Sequence, residues 1–358
     1  MERRRSTGGG RTPEPIALGF LEGTRVKVTG EDSFAENSPL SKAGRAKGQV
    51  LSAVQEVLPS HKPHVAVLLA AYNGMRWIDE QVRSILQQED VEVRLFISVD
   101  PSTDGTSDWC KRLAAEQGRV TILPEGEKFG GAARNFFRLI RDTDFSTYEY
   151  IALADQDDIW LHNKLKVAAE KIVNGKFAAY SGNVTAVWPD GHQLLIDKAQ
   201  AQRRYDFLFE AAGPGCTYVL TVTKALEFKK FLLENWEAVN EVALHDWLIY
   251  AWFRGAGLGW YIDATPRILY RQHSNNQVGA NQGFKAILNR LKMLRSGWYR
   301  TEIGKIARLI DKRLNLYQQI IRKDGTVSRL FLLRNVFEVR RRLRDRLFFL
   351  VVVILGLY

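Results

Sequence analysis

A dense group of acidic side chains follows a short apolar run in the middle of this chain. Asp155, Asp157 and Asp158, with Gln156 among them, come directly after the apolar residues 150–154. Three ionised carboxylates within four positions repel one another, and ionised groups are costly beside a buried strand. A divalent cation would relieve that repulsion, and oxygen ligands suit Mg²⁺ or Mn²⁺. A solvated loop or a helix N-cap is the alternative interpretation.

Strands that alternate with helices are expected to position this acidic group. Apolar runs predict strands at 65–70, 91–99, 120–123, 150–154, 178–187, 216–221, 260–263 and 268–270. Amphipathic segments predict helices at 78–88, 132–141, 164–173, 226–236 and 247–254, and a further helix that follows the turn at 100–106 and runs through Leu113 and Ala114. The alternation predicts an α/β fold with a mostly parallel sheet flanked by helices. In such sheets ligands bind at the carboxyl ends of the strands, where the acidic group lies.

Composition divides the chain into three regions. Of the 358 residues, 46% are hydrophobic and 25% are charged, which permits a substantial core. Residues 1–62 are rich in Gly, Ser, Pro and charge and predict a flexible N-terminal extension. The α/β domain is expected to span 63–283. Two distant cysteines, Cys110 and Cys216, predict reduced, packed thiols of the kind found in cytosolic proteins. The N-terminus lacks the apolar stretch of a secretory signal.

The third region, 284–358, carries the positive charge of the chain. It has 18 Lys and Arg against 5 Asp and Glu, so that the remainder has a net charge of −2 within the total of +11. The pattern predicts basic amphipathic helices at 284–294, 299–321 and 327–347, followed by an apolar run of 12 residues. Such a run is too short to span a bilayer, which needs about 20 residues. The arginines of 340–344 beside it favour contact with an anionic membrane surface over nucleic acid. A solvated basic face over a buried helix is the alternative, and an oligomer contact stays open.

Five short motifs occur in order between residues 64 and 280. They are Leu-Ala-Ala-Tyr-Asn-Gly at 69–74, Val-Asp-Pro-Ser-Thr-Asp-Gly-Thr at 99–106, Ala-Asp-Gln-Asp-Asp-Ile-Trp at 154–160, His-Asp-Trp at 245–247, and Tyr-Arg-Gln-His-Ser-Asn-Asn-Gln-Val-Gly at 270–279. Together they resemble the family 2 glycosyltransferases of the GT-A fold, especially a bacterial rhamnosyltransferase-like branch. One departure is that Val99 and Pro101 stand where the family often has a first acid and a glycine.

The resemblance implies a nucleotide diphosphate sugar as donor, either a dTDP- or a UDP-sugar, with rhamnose favoured. It also implies a pyrimidine contact for Asp100, direct cation ligation by Asp157, and a place for Asp155 at the ribose or the cation. His273 would reach the cation or the diphosphate. The further residues that the resemblance places at the nucleotide sugar are Ala71, Tyr72, Asn73, Gly131, Arg134 and Gln156.

The resemblance assigns removal of the acceptor proton to Asp246, and a single base implies inversion at the anomeric carbon. Gly215 and Trp247 would lie near the acceptor, a cell-surface glycan or a lipid-linked molecule. The protein is therefore expected to work in the cytoplasm, peripherally on the inner face of the cell membrane. Three alternatives are a metal-dependent hydrolase, a non-enzymic membrane- or nucleic-acid-binding module that uses the basic region, and an inactive scaffold. The hydrolase does not explain residues 245–279, and the intact acids argue against the scaffold.

Overall fold

A central seven-stranded sheet organises the protein in the computed structural model, which describes residues 61–126, 128–273, 296–314, 320–322 and 327–356. In chain order the strands are β1 (His64–Ala71), β2 (Glu92–Val99), β3 (Val120–Ile122), β4 (Tyr150–Asp155), β5 (Ile159–Trp160), β6 (Ala179–Gly182), β7 (Val184–Val187), β8 (Gln193–Ile196), β9 (Val219–Thr221), β10 (Trp260–Asp263) and β11 (Ile268–Arg271). The described helices are α1 (Ile78–Leu86), α2 (Thr106–Glu116), α3 (Ala132–Asp142), α4 (Lys164–Gly175), α5 (Val222–Glu234), α6 (Trp236–Asn240), α7 (His245–Gly255), α8 (Trp298–Leu314), α9 (Arg329–Asn335) and α10 (Leu343–Ile354).

The order of the central sheet is β10-β6-β9-β4-β1-β2-β3. Strands β1, β2, β3 and β4 run parallel, whereas β9 runs antiparallel to both β4 and β6. The predicted α/β class with a mostly parallel sheet is therefore confirmed. Strand β1 lies between β2 and β4, so the sheet extends from β1 to β2 and β3 on one side and to β4 on the other. The carboxyl ends of these three strands form the edge at which ligands bind in such sheets.

Helices cover both faces of this sheet, which is why its strands are apolar on both sides. Along β1, Ala66, Leu68 and Ala70 point to a core shared with α3, α5, α7 and α8. The alternate residues Val65, Val67, Leu69 and Ala71 point to a second core shared with α1, α2 and α4. This period of two follows from the pleat of the strand.

A smaller sheet of order β5-β11-β7-β8 lies beside the central one, and it corrects one predicted strand. Residues 178–187 form β6 in the large sheet and β7 in the small sheet, with Asn183 between them. The Asn183 side chain donates to the carbonyl of Ala264 and accepts from the backbone of Lys198. These long-range bonds fix the crossing between sheets, and the local apolar pattern does not contain them.

The C-terminal region also departs from the predicted pattern. The single helix predicted at 327–347 is wrong, because α9 ends at Asn335 and α10 begins at Leu343. The interruption contains Arg340 and Arg341, each 2% exposed. Arg341 forms ion pairs with Asp206 at 3.1 Å and with Glu210 at 3.6 Å. These arginines therefore hold the C-terminal region against the α/β domain, and the prediction that they face a membrane is wrong.

Two other predictions fall on residues that the structure does not describe. These are the helix at 284–294 and nearly all of the N-terminal extension, of which only His61 and Lys62 are described. The domain boundaries therefore stay predictions. None of the described helices is both long enough and apolar enough to cross a membrane.

Candidate active site

The loops after β1 and β2 are tied into one rigid rim. The backbone N–H of Asn73 donates to Ser102 Oγ at 3.0 Å, and its side-chain oxygen accepts from Thr103 N at 2.8 Å. Asn73 adopts a positive φ of 46°, a conformation that asparagine tolerates better than most residues. The carbonyl of Ala71 accepts from the backbone N–H of Asp100. Ala71 and Asn73, which are predicted to contact the nucleotide sugar, thus shape the rim. The side chain of Tyr72, a third residue of that prediction, projects from the rim with 45% exposure.

The loop after β4 joins the same rim through Gln156. Its Oε1 accepts from Tyr72 N and its Nε2 donates to Tyr72 O, each at 2.8 Å. Gly74 lies against this amide, and a Cβ on Gly74 would overlap the Gln156 side chain. The Gln156 side chain therefore joins the loop after β4 to the loop after β1. Asp155 and Asp157 lie on either side of Gln156 in the sequence.

Asp100 is buried at the end of β2, where it holds the turn before α3. Its two carboxylate oxygens accept from the backbone N–H groups of Phe129 and Gly130, both at 3.1 Å. Only 3% of the residue is exposed, and burial raises its pKa. A pyrimidine contact would use the remaining lone pairs of these oxygens or replace the turn, so the predicted base contact stays a prediction. Gly131 follows directly and leads into α3.

The acidic group divides into two sets. Carboxylate oxygens of Asp155 and Asp158 lie with the Cys216 sulfur within 4.8 Å of one another. Oδ2 of Asp158 is buried, and in the described part of the chain it has no hydrogen-bond partner. Burial, and next the charge of Asp157, raise the pKa of Asp155 to about 7. The same two causes raise the pKa of Asp158. Burial also raises the pKa of the Cys216 thiol, which is therefore not a thiolate ligand at neutral pH.

Asp157 contacts His273, the last residue in the chain that was predicted to belong to the site. Nε2 of His273 lies 2.8 Å from Asp157 Oδ2, although 116 residues separate them in sequence. The imidazole stacks on Trp77 with ring centroids 3.9 Å apart. The structure thus brings two of the three predicted cation ligands, Asp157 and His273, into contact, whereas the third, Asp155, groups with Asp158 and Cys216 and is linked to Asp157 only through its charge. The oxygen-rich donors and the unsatisfied Asp158 oxygen fit a hard divalent cation.

The turn at Gly215–Thr217 lies between the acidic group and Asp246. Gly215 and Cys216 begin this turn, and Cys216 contacts Asp155 and Asp158 as described above. A Cβ on Gly215 would lie 3.3 Å from Asp246 Cβ and 3.1 Å from His245 Cε1. Asp246 is near enough to Asp155 that its charge contributes to the raised pKa of Asp155. One glycine therefore allows the start of α7 to approach the carboxyl end of β4.

Asp246 occupies the first turn of α7 and is half-buried. Burial raises its pKa to about 6, against opposing effects of the Trp247 backbone N–H and of the Lys198 charge. Oδ1 accepts from Trp247 N at 2.7 Å. His245 is neutral at pH 7, because burial lowers its pKa to about 3.

Three placements differ from the sequence-based expectation or were not anticipated. Trp247 is 2% exposed and donates its Nε1–H to the carbonyl of Phe207, so its ring supports α7 from the core and does not face an acceptor. Arg134 donates to the carbonyl of Asn240 at 3.2 Å. Lys198 was not anticipated: its Cβ and Cγ lie 3.8 Å from the Cβ position of Gly213, and its charge acts on Asp246. Nothing in the sequence marks Lys198, because it follows β8, a strand that the apolar pattern does not predict.

The sheet, the acidic group at its edge and the carboxylate at the start of α7 define an α/β enzyme with a polar site at the strand ends. The sequence profile of Glycosyl transferase family 2 matches residues 66–218, which contain β1 to β4 and the Gly215–Cys216 turn. The chain is also 44% identical over 291 residues to the dTDP-rhamnosyl transferase RfbG of Shigella flexneri, a match that covers 81% of this chain and all of that protein. The chain belongs to glycosyltransferase family 2, and its GT-A-type fold is the one that the motifs predict.

More distant similarities cover smaller parts of the chain. A UDP-Glc:alpha-D-GlcNAc-diphosphoundecaprenol beta-1,3-glucosyltransferase of Escherichia coli, WfgD, is 26% identical over 159 residues, which are 44% of this chain and 59% of that protein. Among solved structures, S. aureus TarS 1-349 in complex with UDP-GlcNAc aligns with a TM-score of 0.46 and 12% identity, over 77% of this chain and 81% of that chain. Family membership and the RfbG match make this chain a glycosyltransferase that uses a nucleotide sugar.

Proposed function

We propose that the protein transfers L-rhamnose from dTDP-L-rhamnose to a hydroxyl group of a cell-surface glycan or lipid-linked acceptor, with inversion at the anomeric carbon. The 44% identity to a dTDP-rhamnosyl transferase over its whole length supports this choice of sugar and nucleotide. The observation that carries the mechanism is the approach of Asp246 to the acidic group across Gly215.

The donor would lie along the rim formed by the loops after β1, β2 and β4. Tyr72 offers an exposed ring at this rim, and the backbone around Asn73 is fixed by Ser102 and Thr103. Asp100 is the candidate for recognition of the pyrimidine. Preorganisation of the rim lowers the entropy cost of ordering the donor when it binds.

A divalent cation, Mg²⁺ or Mn²⁺, would be held by Asp155 and Asp157, with His273 beside Asp157. When bound, such a cation stabilises negative charge on the departing diphosphate. His273 is held in place by its stack on Trp77, which leaves its contact with Asp157 well defined. Asp158, whose carboxylate lies in one cluster with that of Asp155, would be a further ligand or would accept a hydrogen bond from a ligand of the cation.

Asp246 would accept the proton of the acceptor hydroxyl. The acceptor oxygen forms its bond to the anomeric carbon as the bond from that carbon to the diphosphate oxygen breaks, and the nucleotide diphosphate leaves with the electron pair. The proton ends on the Asp246 carboxylate. A pKa of about 6 leaves Asp246 mostly ionised at neutral pH, yet more basic than an ordinary aspartate. A direct displacement by one base inverts the configuration at the reacting carbon.

The test is transfer from a panel of nucleotide sugars in the presence of Mn²⁺. We expect dTDP-L-rhamnose to give the largest kcat/KM, and the product to carry the linkage of inverted configuration by nuclear magnetic resonance. Faster transfer from a UDP-hexose would overturn the donor assignment. Retained configuration would overturn the single-base mechanism while leaving the family membership intact.

A further inference from the structure

The outward faces of α9 and α10 concentrate the exposed apolar side chains of the described chain. Of the 14 large hydrophobic side chains exposed there, nine lie between residues 330 and 355. Leu330, Leu333 and Phe337 belong to α9 and the turn after it. Leu343, Leu347, Phe348, Val351, Ile354 and Leu355 belong to α10 and its end. Together these nine side chains form what we call the C-terminal apolar surface.

The spacing of these residues shows that each helix has two distinct faces. An interval of three residues places Leu330 and Leu333 on one side of α9, and Phe337 is exposed in the turn that follows. On α10, Leu347 and Val351 lie outward, while Phe349 and Val353 are buried against the domain. The fold therefore already uses the inner face of α10, and the outer face is apolar without serving the core.

The two outer faces are held together as a single surface. Helices α9 and α10 pack against each other, and Nη2 of Arg329 donates to the carbonyl of Ile354 at 2.7 Å. This bond ties the start of α9 to the end of α10. Exposed apolar side chains gathered on two helices that pack together mark an interaction site more strongly than scattered exposed leucines do.

The exposed charged side chains near the C-terminal apolar surface are all positive within residues 327–356. Within residues 327–356 the exposed charged side chains are Arg329, Arg334 and Arg344. Neither acid of this segment is exposed, because Asp345 is buried with an oxygen 3.6 Å from Arg344 Nε, and Glu338 is half-buried and accepts from Arg204 N. The partner that fits is therefore apolar in its interior and negatively charged at its boundary.

We propose that the C-terminal apolar surface binds an anionic lipid bilayer, with α10 lying in the plane of the interface. The 12 residues of α10 extend about 18 Å, whereas the hydrocarbon core is about 30 Å thick. The arginines at its boundary reach lipid phosphates while the leucines enter the acyl region. A second copy of this chain fits less well, since a twofold contact would place arginines opposite arginines without an exposed acid.

This inference goes beyond the proposed sugar transfer, because none of the nine residues belongs to the strand-end site. The apolar run that the sequence suggested contributes to this surface, but only part of the suggested arginine cluster does, since Arg344 is exposed whereas Arg340 and Arg341 are buried. Arg340 and Arg341 are buried in ion pairs, and the arginines that remain at the surface flank them in sequence.

The experiment is flotation of the full chain with vesicles of pure phosphatidylcholine and of an equimolar mixture with phosphatidylglycerol. We expect flotation with the anionic vesicles and a loss at about 1 M salt, where the Debye length falls to about 3 Å. The double variant Leu347→Glu/Val351→Glu is expected to lower the partition coefficient more than tenfold. The matched control is Leu233→Glu on α5, which changes an equally exposed leucine outside this surface and leaves flotation unchanged.

The charged boundary is tested separately with Arg334→Gln and Arg344→Gln. Each is expected to lower binding to the anionic vesicles by about fivefold, and neither changes binding to pure phosphatidylcholine. Thermal unfolding and donor binding, measured on every variant, distinguish a lost surface from a lost fold. Equal flotation of the wild type and the Leu347→Glu/Val351→Glu variant would overturn the proposal. A dimer in solution that the same variant converts to a monomer, without vesicle binding by the wild type, would also overturn it.

Discussion

Gly215 and His245 pack so closely that a side chain on the glycine would overlap Nε2 of the imidazole. His245 stacks in turn on Phe136 of α3, with ring centroids 4.1 Å apart. The imidazole thus fills the space between α3 and the Gly215–Cys216 turn. Because Asp246 follows His245 in α7, this packing sets the distance between Asp246 and the acidic group.

The first prediction concerns this contact. In Gly215→Ala the added methyl group must displace His245 or the turn, which moves Asp246 relative to the donor. We expect kcat to fall by about 10²-fold, since a misplacement of about 1 Å costs that much. Gly118→Ala is the matched control, because a Cβ there meets no atom within 4 Å. An unchanged kcat in Gly215→Ala would show that the approach of α7 does not matter for transfer.

The second prediction is the acid limb of the pH profile. Asp246 acts as a base only when ionised, so kcat/KM is expected to fall about tenfold per pH unit below its pKa of about 6. The nearby Lys198 charge lowers that pKa. Lys198→Met removes the charge and is expected to move the acid limb to higher pH, whereas Lys198→Arg keeps it in place. A limb that stays fixed in Lys198→Met would mean that another group titrates.

The third prediction concerns the buried arginines after α9. Arg341→Met removes the cation nearest to Asp206 and Glu210, which leaves these buried acids with only longer ion pairs, to Arg254 at 3.7 Å and to Arg340 at 4.0 Å. We expect the free energy of unfolding to fall by about 3–5 kcal/mol, measured by urea denaturation. Arg334→Met, at an exposed position of α9, is expected to change it by less than about 0.5 kcal/mol. Equal stability of the two variants would contradict the role assigned to the ion pairs.

The fourth prediction concerns the cation. Mn²⁺ at about 100 times its Kd is expected to add about 2.7 kcal/mol to the free energy of unfolding of the wild type. Asp157→Ala removes a ligand and is expected to lose most of that gain, as well as its activity. Asp108→Ala, an exposed aspartate of α2, should keep both. Equal turnover of the wild type in EDTA and in Mn²⁺ would show that the acidic group serves transfer without a cation.

Local patterns were sufficient to predict most of the α/β domain. The apolar runs at 65–70 and 150–154 became β1 and β4, because strands buried on both faces cannot carry polar residues. The acidic group was recognisable for the same reason, since its position at a strand end is unusual for three carboxylates. The motif order then identified the family, as the profile match confirms.

The features that the sequence did not predict depend on contacts between residues that are distant in the chain. Arg341 is buried only because Asp206 and Glu210, more than 130 residues earlier, form its ion pairs. A signal was present in residues 205–212, where two acids lie among aromatic and apolar residues and so require a buried cation. The resemblance implied a place for Trp247 near the acceptor beside Asp246, yet adjacent residues of a helix point in directions about 100° apart.

The central claim is that Asp246 removes the acceptor proton and takes no part in holding the donor. The most direct measurement is donor binding by calorimetry beside single-turnover transfer in Asp246→Asn, with Asp108→Asn as control. We predict a donor Kd within about twofold of the wild type and a transfer rate lower by about 10²–10⁴-fold. A transfer rate close to that of the wild type, or a parallel loss of donor binding, would contradict the assignment of Asp246 as the base.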